Sequence, residues 1–302
     1  PEIRLQAYPV LASILSSLDF AAGALAAAPE TDPRVRLALA ETLANQPASE
    51  TRPLLMELAA DPRSEIRWRA EAGLFLLSPE SGLGSQLRSA LMEKDIDRGL
   101  LFRLFNAIRS LPPAAGRDLS ASLLEAASAA TRAQAATVWL RTFSEPPPAG
   151  DFLELFADAS PEVRQQALQF AAIRPAMVAP ETLFQLPENP FIDVRLRALD
   201  LASSIPVADQ ARLALQLLLD TEAEVRKAAL LRIVRLQPAG WPGLLRASLR
   251  DPSPLIQRTA ATELLQSLGD EGRRIAGDFA RAHPDQAIAS WIRERLRSAP
   301  GS

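Results

Sequence analysis

Histidine occurs once in this chain of 302 residues, at His283, and cysteine does not occur at all. A Ser-His-Asp relay would have to run through that one imidazole, while thiolate nucleophiles, disulfides and Cys/His zinc sites are excluded. His283 stands in the segment AHPDQ, beside the position where other turns of the chain carry Asp, so its expected role is that of a turn residue. Gly82 and Gly84 in SGLGSQL lack the third glycine and the preceding strand of a phosphate-binding loop, which leaves a turn between helices. Asp95 and Asp97 lack the other oxygen ligands of a calcium loop and read as carboxylates at a helix start. Trp68, between Arg67 and Arg69, is different in kind. An exposed aromatic flanked by guanidinium groups can anchor a protein partner or stack on a base, and it can equally pack on a neighbouring element. No catalytic residue, cofactor or metal site is called for by these patterns.

Composition narrows the partners. The formal charge is −3, with 48% hydrophobic and 23% charged residues, so no global basic field exists to hold nucleic acid or an anionic membrane. Apolar runs are broken by charges or prolines well short of a membrane-spanning length. Lysine appears only at Lys94 and Lys227, and every other basic side chain save His283 is arginine. With abundant alanine and proline, this is the composition expected of a GC-rich bacterial genome.

The elements that must position any site are set by an internal repeat. One pattern recurs: an Asp or Pro turn, an aliphatic residue, Arg, two variable residues and Ala, as in DPRVRLALA from Asp32, DPRSEIRWRA from Asp61 and DTEAEVRKAA from Asp220. Its arginine falls at Arg4, Arg36, Arg67, Arg98, Arg164, Arg195 and Arg226, with Gln257 and Ile288 in the same slot further on, a beat of 31 residues with one step of 32. The double gap between Arg98 and Arg164 hides another copy, at Arg132. Apolar residues one before, three after and seven after this position, such as Val225, Ala229 and Ile233, form one stripe of an α-helix. The Asp-Pro pairs that precede it predict a helix start, with Asp as cap and Pro in the first turn. A shorter apolar helix precedes each turn, and Pro- and Gly-rich breaks separate the repeats.

Asp at the turn and Val-Arg opening the second helix resemble the HEAT-repeat family, in its short form of about 31 residues that phycobilisome lyases also contain. The likeness runs along essentially the whole chain. It implies an all-α fold, a superhelical α-solenoid of about nine to ten helix-turn-helix repeats spanning 1–302 as a single array, with the second helices lining a concave side. It also implies a ladder of Asp and Arg along the turns, with Arg36, Arg67, Arg164, Arg195 and Arg226 and with Asp61, Asp158, Asp220 and Asp251 as its members. Gln257 stands where the arginine following Asp251 would be. Opening on PEIRLQA, inside a second helix, the chain is expected to be cut at its N-terminus, and residues 298–302 are expected to form a flexible tail. The preceding helix puts Ile288, Trp291, Ile292 and Leu296 on one face as a terminal cap; Trp139, like Trp291, is expected to face the core.

Two variable slots of the second helix then become candidate partner-facing positions. One follows the register arginine and holds Trp68 and Gln165; the other lies five residues after it and holds Glu41, Arg103, Gln169, Asp200 and Thr262. With the adjoining Arg69 and Phe102, the candidate partner-binding residues are Trp68, Arg69, Phe102, Arg103, Gln165 and Gln169. Repeats around 95–143 depart most from the pattern, where Phe102 and Phe105 are expected to enlarge the helix face. The expected function is a non-catalytic protein-protein interaction scaffold or docking module within a larger bacterial protein or complex. Its partner is a protein or another domain of the same parent chain, and nucleic acid is not an expected partner. Some DNA glycosylases are built from HEAT-like repeats and use Asp and Trp on the concave face. A glycosylase of that kind, or a bilin-lyase-like enzyme or chaperone, is the alternative that the resemblance leaves open.

Overall fold

A computed structural model describes residues 2–14, 19, 23 and 30–298. The expected tail therefore lies, beyond Ser298, outside the described residues, as does Pro1. Among the described residues the chain is all-α, with short 3-10 turns and no strand. It divides into two compact units, Pro1–Ser144 with Asp158–Ala167, and Glu145–Ala157 with Leu168–Ser302.

The first unit contains α1 (Glu2–Ile14), α2 (Pro33–Asn45), α3 (Arg52–Leu58), α4 (Ser64–Leu77), α5 (Ser85–Glu93), α6 (Arg98–Ser110), α7 (Pro113–Ala121) and α8 (Ala129–Arg141). The second helices pack in series, α2 on α4, α4 on α6 and α6 on α8. The shorter helices α3 and α7 pack against the second helix that follows them, and α5 against α4. The second unit contains α9 (Ala149–Phe156), the later part of α10 (Pro161–Ile173), α11 (Pro180–Gln185), α12 (Ile192–Leu201), α13 (Val207–Leu217), α14 (Ala223–Leu236), α15 (Trp241–Ser248), α16 (Pro254–Ser267), α17 (Gly269–Ala282) and α18 (Ala287–Ser298). Here too the series runs α12 to α14 to α16 to α18, with α13, α15 and α17 each packed on the second helix that follows. Each helix thus touches its neighbours in sequence or one repeat along, which is the packing of an α-solenoid.

The predicted stripe is the core. Val35, Ile66, Val194, Val225 and Ile256 are buried, as are Ala70, Ala198, Ala229 and Ala260 three residues after the register and Leu43, Ile233 and Leu264 seven after it. In the Arg67 copy the last position slips by one, so Phe75 is buried and Leu74 only half-buried. Of the two phenylalanines of the irregular copy only Phe105 joins the core, while Phe102 is 54% exposed. Trp139 is buried as expected, but Trp291 is half-buried, with the Arg295 guanidinium 5.3 Å from its ring centre.

The Asp-Pro turns behave differently from the expected helix caps. Asp32 does cap α2, accepting from the N–H of Arg34 at 2.8 Å with Pro33 in the first turn. Asp61 and Asp251 instead lie two residues ahead of the true cap positions, Arg63 and Ser253, and accept from their N–H groups at 2.9 and 2.8 Å. They close Asx turns, a local bond that frees one carboxylate oxygen for a longer-range partner.

Close approach fixes two glycines. A Cβ on Gly84 would lie 2.3 Å from Glu71 Oε2, the oxygen that accepts from the Leu87 N–H at 2.7 Å and so caps α5 from α4. A Cβ on Gly272 would lie 1.7 Å from the Leu264 carbonyl oxygen, where α17 crosses α16 backbone to backbone.

Candidate functional site

The register arginines do the same work in repeat after repeat. Nη1 of Arg36, Arg67, Arg132, Arg164, Arg195 and Arg226 donates to the carbonyls six and five residues earlier, at 2.8 to 3.2 Å. Those carbonyls belong to the turn between the two helices and have no helical partner, so each arginine closes its own turn. The outer face of the guanidinium then reaches forward. Arg36 Nε donates to Asp61 Oδ2 at 2.5 Å, Arg132 Nε to Asp158 Oδ2 at 2.8 Å, Arg195 Nε to Asp220 Oδ2 at 2.7 Å and Arg226 Nε to Asp251 Oδ2 at 2.9 Å. The last three are two-pronged, with Nη2 on Oδ1. Arg132 is thereby the hidden copy.

This geometry corrects the expected last rung. Each Asp carboxylate takes the arginine of the preceding repeat, 25 or 26 residues upstream, while the register residue six positions later takes only the backbone carbonyl. Asp251 therefore keeps its ion pair, to Arg226, and Gln257 Nε2 donates to the Asp251 carbonyl at 2.8 Å as an arginine would. The departure lies elsewhere: Arg67 has no aspartate ahead of it and donates instead to Gln86 Oε1 at 3.1 Å. Burial raises the Asp158 and Asp251 carboxyls, but the arginine and backbone N–H bonds outweigh it and hold both below the usual carboxylate range. Arg132 and Arg226 are raised by the same side-chain bonds. These are structural ion pairs, half-buried and fully bonded.

Of the candidate partner-binding residues, Trp68 is corrected. It is only 6% exposed, packed in the core with Leu87, Leu91 and Leu104, and its Nε1 donates to Glu65 Oε2 at 3.1 Å. One helix turn leans it off the stripe, but α5 and α6 extend the core over it. Arg69 lies over its ring at 4.2 Å and is itself engaged, with Nε on Glu41 Oε1 at 2.9 Å and Nη1 on Glu65 Oε2 at 3.0 Å. Lys94 bonds the other Glu65 oxygen. Hydrogen bonds from Lys94, then Trp68, then Arg69 against a burial penalty push the Glu65 carboxyl down to about 2. Two acids and two bases close this network on itself across α2, α4 and the end of α5. Arg103 donates to Asn45 on α2, while Phe102 points to solvent. Gln165 and Gln169 are exposed, four apart on α10, and share no element with the Trp68 group.

The sequence missed a groove in the second unit. Between α12 and α14, Leu196 and Leu231 flank a depression of ≈ 410 Å³ rimmed by Arg197, Arg232 and Arg235. Asp200 accepts from Arg197 at 3.3 Å and from Arg232 at 3.5 Å, holding Arg232 at 14% side-chain exposure. Arg235 is exposed and forms no ion pair among the described residues, so the rim carries an excess of two positive charges. Leu231, 40% exposed, occupies the same slot five after the register that Asp200 fills one repeat earlier. The repeat singled out that slot; which copies of it would face one another across a groove depends on helix packing.

The other residues that could do chemistry have structural places. Asp97 caps α6, accepting from Gly99 and Leu100 N–H groups at 2.9 and 3.1 Å. His283 ends α17 with its ring 4.7 Å from that of Phe279. No cluster of acidic or histidine side chains suited to a metal occurs among the described residues, and no described helix is long and apolar enough to cross a membrane. Neither a protein-family model nor a curated protein matches the chain. Among solved structures, the crystal structure of YibA from E. coli is similar over 96% of each chain, at 17% sequence identity and a TM-score of 0.36.

Proposed function

We propose that this chain is a non-catalytic, HEAT-like repeat scaffold that binds a protein segment, either of a separate partner or of another domain of its parent chain. The groove between α12 and α14 carries the reading. Both walls are second helices already packed on one another, and the Asp200 ion pairs hold two of the rim arginines before any partner arrives. A preformed surface of this kind binds with little ordering cost. Arginine is enriched among the residues that carry interface binding energy, and the exposed Leu231 beside the part-paired arginines adds an apolar contact among directional polar ones. The matching segment carries an apolar side chain flanked by acidic ones.

The test is affinity capture from source cells with the wild-type chain and with a variant carrying Leu231→Asp and Arg235→Glu. Leu219→Asp, at a residue 86% exposed and away from the groove, is the control. A partner retained by the wild type and the control but lost by the double variant is the expected result. Equal recovery of every captured protein by all three would overturn the proposal.

A further inference from the structure

The ends of α6 and α8 hold a second arginine pair whose circumstances differ from those of the ladder. Arg109 lies in the last turn of α6 and Arg141 in the last turn of α8, and these helices pack side by side. Both side chains border a cavity of ≈ 120 Å³ with a floor of Ile108, Leu111, Pro113 and Val138. That is room for roughly four water molecules, hence for a ligand group of a few heavy atoms. Arg109 Nη1 donates to Asn106 Oδ1 at 3.0 Å, and its remaining N–H groups, like all those of Arg141, have no protein acceptor among the described residues. The nearby acceptors of Thr142 are already used, since Arg117 donates to its hydroxyl at 3.2 Å and its carbonyl at 2.9 Å.

Other arginines of the unit have an acid beside them: Arg36 has Asp61, Arg69 has Glu41 and Glu65, and Arg132 has Asp158, whereas Arg109 and Arg141, both exposed, have none. No acid lines this cavity. Burial, and next to it the charge of Arg141, lower the Arg109 pKa, the signature of like charges brought together without a counter-ion. Two guanidinium groups over an apolar floor match an oxyanion carried on an aliphatic stem: the fork geometry takes the two oxygens and the floor takes the carbon chain. The charge of the ligand is bounded as well. The C-terminal ends of these two helices carry partial negative charge, which opposes an anion here and opposes a dianion most, so the ligand is bounded at a single negative charge.

We infer that the cavity between the ends of α6 and α8 is a binding site for a carboxylate on a short aliphatic stem, held by Arg109 and Arg141. The stem is either a small carboxylic acid or the C-terminal residue of a peptide. The site lies in the first unit, so it stands or falls independently of the α12–α14 groove.

Butyrate is the probe for the shared chemistry, titrated into the full chain while the arginine Nε–H resonances are followed by NMR. The expected result is a saturable shift of the Arg109 and Arg141 signals with butyrate and none with butanol. Arg141→Gln should weaken the response of Arg109 by roughly tenfold or more, the loss of a charge-assisted bond pair. An unchanged circular dichroism spectrum shows that this variant still folds. No saturable shift, an equal response to butanol, tighter binding of inorganic phosphate, or undiminished affinity in folded Arg141→Gln would each overturn the inference. A short peptide ending in valine, with its terminus free or amidated, separates the sources. Tighter binding of the free acid than of butyrate assigns a peptide terminus, and weaker binding assigns a small acid.

Discussion

The oxygens of Asp220 accept four bonds. Its Oδ1 accepts from the Glu222 N–H at 2.8 Å and from Arg195 Nη2 at 3.1 Å, its Oδ2 from Arg195 Nε at 2.7 Å, and its carbonyl from Arg226 Nη1 at 2.8 Å. With both side chains of the ion pair 11% exposed or less, removing the carboxylate strands a buried guanidinium. Asp220→Ala is expected to cost about 3 kcal/mol or more, and Asp220→Asn less, because an amide oxygen still serves the turn. Urea unfolding of the two variants beside the wild type measures the difference. The members of this ladder were legible as residues, since Arg and Asp recur on a fixed beat. The pairing was not, because the six-residue spacing suggests a bond within one repeat, whereas the short bond goes to the carbonyl and the carboxylate looks back a repeat. Trp68 shows the same limit. Its position on its own helix points away from the stripe, but burial is decided by α5 and α6.

At the scale of elements, what sets helix spacing is the room left for backbone. Alanine in the middle of the buried stripe brings second helices close, and this was readable from periodicity alone. The crossing of α17 on α16 was not, because glycine within a helix marks either a close contact or nothing. Gly272 and Gly277, both within α17, separate those cases. Gly272→Ala places a methyl into the Leu264 carbonyl and is expected to destabilise by about 1–3 kcal/mol as the helices part. Gly277→Ala meets Leu296 Cδ1 at 3.7 Å and Arg281 Nη1 at 3.9 Å, both ordinary contacts, and is expected to stabilise by about 0.5–1 kcal/mol through helix propensity. Thermal melts that move in opposite directions confirm the contrast; a shared direction refutes it. The groove between α12 and α14 belongs to this scale too, since Leu231 and Asp200 lie 31 residues apart in sequence and become opposite walls only through the packing of their helices.

Across the whole molecule, acid is the condition to which the ion pairs answer together. Asp158 and Asp251 titrate below their ordinary range in the fold, and Glu65 at about 2. Groups with depressed folded pKa values contribute stability that is complete above the unfolded carboxylate value, about 4, and lost as pH falls through the folded value. Raised arginine pKa values, as at Arg132 and Arg226, contribute fully at any pH below the arginine range and so do not shape this window. The melting temperature is therefore expected to hold steady from about pH 7 to 5 and to fall between about pH 4 and 2, and Asp251→Asn should flatten part of that fall. Circular dichroism melts across this range test it, and a fall that begins near pH 6 would contradict it. The ladder also has a direction. The repeat that holds Asp220 and Arg226 offers a carboxylate to the repeat behind it and a guanidinium to the one ahead, like a coupling with a hook at one end and an eye at the other. A tandem copy of residues 195–225 inserted after Val225 would give the copied Arg195 a copied Asp220 and would return Arg226, one period later, to its Asp251. Such couplings let a chain lengthen by whole periods while every joint inside it stays matched, and they penalise any insertion that is not a whole period.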